Sequence, residues 1–256
     1  MKPESDDGAG AAAGGGRRVG RPRTSGPSPD APPRDVIVSV AARLFAEKGY
    51  SGTTMTAIAR AAGLKQQSLY YWFPRKEQVL QATLAVNRVS LDFIDRLQSV
   101  PDSPALKLYR LVRYDTLQLC LSPVDFNEIE QLAAKQPDAF AGFWRDYDRL
   151  VRWVVAFIED GVAQGQLLPV DIELTALGLL TFDEGMQKRF RHRAQHRLDS
   201  EIPFRYGDYS AVDYADFVAV TSIRSLLAQP GEVRIIQQQA ARYEDSPPPD
   251  GRRAEA

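Results

Sequence analysis

Residues 54–73 read Thr-Met-Thr-Ala-Ile-Ala-Arg-Ala-Ala-Gly-Leu-Lys-Gln-Gln-Ser-Leu-Tyr-Tyr-Trp-Phe. Ile58, Ala62, Leu64 and Leu69 are apolar at spacings that let two short helices share a small core, with Ala59 small where their axes approach. Thr54 is placed to cap the first helix, and its hydroxyl can accept from a free amide of the opening turn. Gly63 stands where that helix must reverse, because glycine enters the left-handed conformation without a Cβ clash. The second helix then presents Gln66, Gln67, Ser68, Tyr71 and Trp72 outward, flanked by Lys65, Arg75 and Lys76. Glutamine can bond adenine through two hydrogen bonds, and aromatic edges pack on thymine methyls, so this is the chemistry of a major-groove helix. A helical hairpin with a glycine turn is common without that role. The amide-rich face and the aromatic run Tyr70–Phe73 tilt the reading toward DNA.

Outward from this stretch almost everything has helical period. A helix from Arg34 to Lys48 carries Ile37, Val40, Ala41, Leu44 and Phe45 on one face, and Gly49 ends it. A long helix is expected from Arg75 to about Ser99, with Val79, Val86 and Phe93 recurring by sevens. Five more are expected at about 104–121, 126–136, 138–164, 171–194 and 212–229, punctuated by prolines. Residues 197–211 read as a loop. No alternating strand pattern is visible. The expected fold is therefore all-α with about nine helices. A short head occupies residues 34–94 and a larger body 95–242. Residues 1–33 and 243–256 form Gly/Pro/Arg-rich or Pro-rich tails that cannot bury enough apolar surface to offset ordering entropy.

The chain has 256 residues and a formal net charge of −1, but the charge is unevenly placed. Residues 34–80 hold seven basic and three acidic side chains, whereas residues 81–256 hold 20 and 26. A basic front on an acidic body suits a module that faces nucleic acid. The single cysteine, Cys120, excludes an internal disulfide and reads as a small buried hydrophobe. No apolar run is long enough to span a bilayer and no signal-peptide core is present, so the expected location is cytoplasmic with no membrane partner.

The blocks Leu44-Phe45-Ala46-Glu47-Lys48-Gly49-Tyr50, Thr53 to Ala59, Ala62-Gly63-Leu64, Leu69-Tyr70-Tyr71, Phe73 and Lys76-Glu77 resemble, in order and spacing, the tetracycline-repressor (TetR) family across residues 34–94. The resemblance implies an all-helical homodimer. In it a three-helix, helix-turn-helix DNA-binding head joins a larger helical body for ligand binding and dimerisation. It implies a palindromic double-stranded operator and a small-molecule effector that changes the separation of two heads, with repression the usual outcome. Carried over by position, Thr54, Tyr70 and Lys76 are expected to meet phosphate, and Gln66, Gln67, Ser68 and Tyr71 to face bases. Tyr70 also reads as partly core. Three departures make the reading face this chain's own: Lys65 where a capping Ser is usual, Gln67 where Gly or Pro is common, and Trp72 where His is common. Lys65 can meet phosphate in place of capping. Trp72 either wedges between the head and the next helix or touches the DNA backbone.

The tail segment Arg17-Arg18-Val19-Gly20-Arg21-Pro22-Arg23 has the Gly-Arg-Pro centre of an AT-hook core. Arg21 and Arg23 read either as minor-groove contacts or as a solvated basic arm that adds only non-specific affinity. In the body, Ile172, Ala176, Leu179, Asp183, Met186 and Phe190 form one stripe, and Ala215, Ala219 and Ser222 a small-residue face. Both are candidates for a four-helix interface between subunits or for packing within the chain. The aromatic-rich middle offers Tyr109, Arg113, Phe143, Trp144, Tyr147 and Phe182 as effector contacts. With Arg110 and Arg152 interspersed, the natural ligand is a large apolar molecule with a polar or anionic end. Asp183, Glu184, Arg189 and His192 are either pocket groups or exposed helix charges.

No phosphate loop, Cys-x-x-Cys, His-Glu-x-x-His or nucleophile elbow is present, so an enzyme has no support, and no cofactor is expected. His192 and His196 lie four apart, but the arginines around them oppose a metal, and a solvated basic face is the expectation. Two other readings remain: a helical DNA-binding or interaction protein without an effector, and an activator in place of a repressor.

Overall fold

A computed structural model describes residues 34–84, 86–192 and 208–243. The tail with Arg21 and Arg23, most of the expected 197–211 loop, His196 and the last residues lie outside them. Eleven α-helices are present among the described residues: α1 (Arg34–Lys48), α2 (Met55–Ala61), α3 (Gln66–Trp72), α4 (Lys76–Thr83), α5 (Val86–Gln98), α6 (Pro104–Leu121), α7 (Phe126–Lys135), α8 (Ala141–Ala163), α9 (Ile172–His192), α10 (Ala211–Leu226) and α11 (Val233–Ala240). No strand is found there. A single antiparallel bridge pairs Leu167 with Leu227.

Local chemistry sets most of the boundaries. Gly49 (φ 71°) and Gly63 (φ 68°) take the left-handed conformation that stops α1 and α2. Thr54 Oγ1 accepts from Ala57 N at 3.1 Å and starts α2. Ser103 caps α6 with Pro104 in its first turn, and Ser210 with Asp213 forms a capping box on α10.

Two expectations are corrected. The helix from Arg75 to Ser99 is not continuous: the chain is extended at Leu84 (φ −91°, ψ 92°) before α5 begins. The heptad runs through the break, but its two halves serve different cores. Val79 and Leu80 pack with the head, and Leu91, Phe93, Ile94 and Leu97 with the body. A straight helix could not point both stripes inward. Second, the helix expected at about 212–229 is followed by another: Pro230–Glu232 forms one turn of 3-10 helix, after which α11 packs Val233, Ile236 and Ala240 into the body core.

The body wraps around α6, which is buried along most of its length and packs on α5, α8, α9, α10 and α11. The head core reaches past α4 to include Val124, Ile129, Ala133 and Phe140 from α7 and its flanks. Helix α7 therefore belongs to both ends of the molecule.

Candidate DNA-reading head and effector cleft

The reading helix is held from beneath by Leu69, which is fully buried. Around it Lys65, Gln66 and Gln67 are exposed and Ser68 is half-buried. Tyr70 and Tyr71 are 43% and 51% exposed. One face of α3 thus carries all the base-reading candidates together, with Thr54 exposed at the start of α2. Lys65 makes no side-chain cap bond. Its ammonium is left to solvent, as the missing serine implied.

Two candidates sit differently. Trp72 packs against the head core, and its Nε1 is buried without a hydrogen-bond partner. Of its two expected places it takes the wedge, with Tyr71 edge-on at 5.8 Å between ring centroids. Lys76 is half-buried. Its Nζ donates to Tyr50 O and Thr53 O, both at 2.9 Å, and lies 4.0 Å from the Tyr50 ring centroid. Burial lowers its pKa, with Glu77 and Glu128 opposing the shift. An ammonium has three donors, and two of them lock the α1–α2 loop.

The same loop is tied to the body. Tyr50 N and Ser51 N donate to the Glu128 carboxylate of α7 at 3.3 and 3.1 Å, as does Ser51 Oγ at 3.1 Å. Sequence reasoning missed Glu128, since nothing local marks a residue whose partners lie 78 positions away.

Behind this strap lies a cleft of about 210 Å³. It opens where α4 gives way to α5 and is walled by Leu84, Phe126, Ile129, Phe140 and Phe143, with Gln81, Arg88 and Asp146 among its polar lining. Of the six expected effector contacts, only Phe143 lines it. Trp144 and Tyr147 stand next to Phe143 in one aromatic cluster, 5.2 and 6.4 Å away by ring centroids. Tyr109 is buried in the body core, and Phe182 meets the outward-facing Phe217.

The cations expected to meet an anionic end already have partners. Arg110 pairs with Asp102 and stacks on Tyr243 at 3.5 Å. Arg113 Nε donates to Asp216 at 2.6 Å, and Arg152 pairs with Asp148 at the surface. Acids occupy the interior instead. Asp115 and Asp183 are both buried, Ser90 Oγ donates to Asp115, and neither Asp183 oxygen receives a donor. Tyr147 OH donates to Glu184 Oε1 at 3.1 Å. Burial pushes the Glu184 carboxyl up to about 8; Glu130 and Asp115 add to the rise and Tyr147 opposes it. Asp183 is raised by burial first and then by Asp115 and Glu184.

The proposed subunit stripe is also placed inward. Ala176, Leu179, Asp183, Ala215, Ala219 and Ser222 are buried within the chain, because α9 and α10 both cover α6. The apolar residues left outside on these helices are Leu174, Leu177, Val212 and Phe217. Among the described residues no cluster of three His, Cys, Asp or Glu is arranged for a metal, and no helix is long and apolar enough to cross a membrane. His192 Nε2 lies 3.8 Å from Asp125. Cys120 is buried.

The family model for bacterial regulatory proteins of the tetR family matches residues 37–83, from within α1 to the end of α4. The HTH-type transcriptional repressor KstR2 of Mycolicibacterium smegmatis is 30% identical over 166 residues, covering 58% of this chain and 74% of that protein. The chain belongs to the TetR family. As a TetR-family transcriptional regulator it carries its DNA-binding helix-turn-helix on α2 and α3. The TetR-family fold extends through the body. PfmR of Thermus thermophilus superposes with a TM-score of 0.58 at 24% identity, over 73% of this chain and 97% of that one. AibR, solved in complex with isovaleryl coenzyme A and operator DNA, does so with a TM-score of 0.52 at 21% identity, over 73% and 96%.

Proposed function

We propose that this chain is a homodimeric repressor that reads a palindromic operator through α3 and releases it when a small molecule enters the cleft between head and body. The observation that carries the reading is the exposed face of α3. Gln66, Gln67, Ser68 and Tyr71 project together from a helix anchored by Leu69 and backed by Trp72. These side chains meet base edges, while Thr54, Lys65, Tyr70 and the remaining donor of Lys76 meet phosphates. Arg21 and Arg23 extend the contact into the minor groove in this reading. Repression is the role named for KstR2.

Dimerisation is supported by the outer faces of α9 and α10. Leu174 and Phe217 are 68% and 54% exposed, beside glycines at 178 and 185 that leave open space above the helix. Two such helices from each of two copies form a four-helix seam related by a two-fold axis. An operator with two-fold symmetry then follows from the protein's own symmetry.

Effector control is supported by the position of the cleft. Phe126 and Ile129 wall it from α7, and α7 also holds the head through Glu128. A molecule wedged there moves α7 relative to the break at Leu84, and the strap passes that displacement to the head. AibR was solved with both isovaleryl coenzyme A and operator DNA, so one protein of this fold holds both kinds of ligand.

Selection of bound DNA from a random pool tests the reading. The expected product is a palindrome with half-sites about one helical turn apart. Recovery of unrelated sequences, or of a single half-site bound by one chain, overturns it.

A further inference from the structure

We infer that the occupant of the hinge cleft is an organic cation, an amine on an aromatic or apolar body, whose nitrogen passes the Phe126–Phe143 wall and is taken by Glu184, Asp183 and Asp115. The inference rests on the effector-responsive reading above and names the chemical class of that effector.

Three observations meet here. The first is the geometry of the wall. Phe126 and Phe143 line the cleft, and Tyr147 sits one ring behind them, with centroids 5.8 and 6.4 Å away. Tyr147 OH bonds Glu184, so a single aromatic layer separates the cleft from the acids. Aromatic faces also attract a cation directly.

The second is an unsatisfied group. Asp183 is 1% exposed, and both its oxygens lack a donor. Its polar neighbour Asp115 is another acceptor, so the two can bond only while they share a proton. A buried polar group without a partner calls for one.

The third is the sign of the surroundings. The charged groups acting on Asp115, Asp183 and Glu184 are these acids themselves and Glu130. The other groups acting on them are Ser90 of α5, Tyr147 of α8 and the Glu184 backbone, and no basic side chain is among them. At the cleft itself Arg88 and Asp146 bring one charge of each sign and set no preference. An ammonium ion, which pairs with a carboxyl as that carboxyl gives up its proton, therefore suits this surrounding.

Proton balance fixes a further property. Burial raises Glu184 to about 8, so it holds its proton at neutral pH. An ammonium ion bound there displaces that proton to solvent: the carboxylic acid becomes a carboxylate paired with the ligand nitrogen. Binding must then tighten as pH rises from 6 to 8, and release a proton as it does so.

The test uses the full chain with 2-phenylethylamine, 3-phenylpropanoate and 2-phenylethanol, which share a ring and chain and differ in charge. Thermal unfolding and calorimetry are run at pH 6, 7 and 8. The amine is expected to raise the melting temperature with concentration, more so at pH 8, with proton release, while the anion and the alcohol do not. Glu184→Gln and Asp183→Asn are expected to weaken the amine by about tenfold or more. Both variants remove a buried acid, so an unliganded melting temperature at or above wild type at pH 8 shows that they fold. No amine binding, equal stabilisation by anion or alcohol, or unchanged amine binding in the folded variants overturns the inference. Operator binding is measured on the same samples without ligand. A chain that binds its operator but not the amine fails only here, whereas a chain that selects no operator fails as a regulator.

Discussion

Replacing Glu184 by glutamine removes one titrating group from the body core and leaves an acceptor for the Tyr147 hydroxyl. In the folded chain this carboxyl holds its proton up to about pH 8, against 4.5 for the free group. The folded state therefore binds more protons than the unfolded state between those values. The stabilisation is complete below pH 4.5 and is lost as pH rises toward 8, at about 1.4 kcal/mol per pH unit. Glu184 is half-buried, so solvent screening reduces the effect, and about 2 kcal/mol is expected across the two units from pH 5 to pH 7. The glutamine variant carries none of this slope. Asp115 and Asp183 are present in both proteins, and because Glu184 adds to the rise of Asp183, its loss flattens the variant's slope in the same direction. With about 2–4 °C of melting temperature per kcal/mol for a chain of this size, the variant should gain about 4–8 °C on wild type between pH 5 and pH 7. The assay is thermal unfolding of both proteins at pH 5, 6 and 7, at one protein concentration so that dimerisation does not enter. Parallel pH slopes for the two proteins would refute the assignment of a raised Glu184 and the reading of the acid cluster with it.

Gln67→Ala combined with Tyr71→Ala should cut operator affinity by tenfold or more, since a well-placed base contact contributes about 1–3 kcal/mol. Its melting temperature should stay at the wild-type value because both side chains are exposed; fluorescence anisotropy and a melting curve check the pair. Leu174→Asp with Phe217→Asp should give a folded monomer by analytical ultracentrifugation. Gly161→Ala should destabilise the body by about 1–3 kcal/mol in urea unfolding, because the added Cβ would lie 2.5 Å from Leu167 Cδ1.

The head was legible in the sequence because its determinants are local. Thr54 caps three residues ahead, Gly49 and Gly63 reverse the chain where they stand, and Leu69 needs only its own helix register to face inward. The block pattern from Leu44 to Glu77 sufficed for the family, and the prolines and glycines placed most helix ends within three residues. What failed locally did so for a stated reason. A heptad cannot tell that its halves serve two cores, so the break at Leu84 was invisible. Helix α11 went unread because the apolar stripe beyond Pro230-Gly231 is only three residues deep.

Partnership across the chain was decided by the tertiary structure alone. Arg113 is a free cation in the sequence and an ion pair with Asp216 in the fold, 103 residues away. Lys76 looks like a phosphate contact and gives two of its three donors to Tyr50 and Thr53. Ala215 and Ala219 look like a subunit seam and are covered by α6. Asp115 and Asp183 are ordinary helix acids until α6 and α9 bury them together. Helical period says which residues share a face; only packing says what that face meets. The sequence by itself therefore determined the TetR-family head and its helix-turn-helix. The fold decided where a cleft opens between α4 and α5, which cations are already paired, and that Asp115, Asp183 and Glu184 come together in the body.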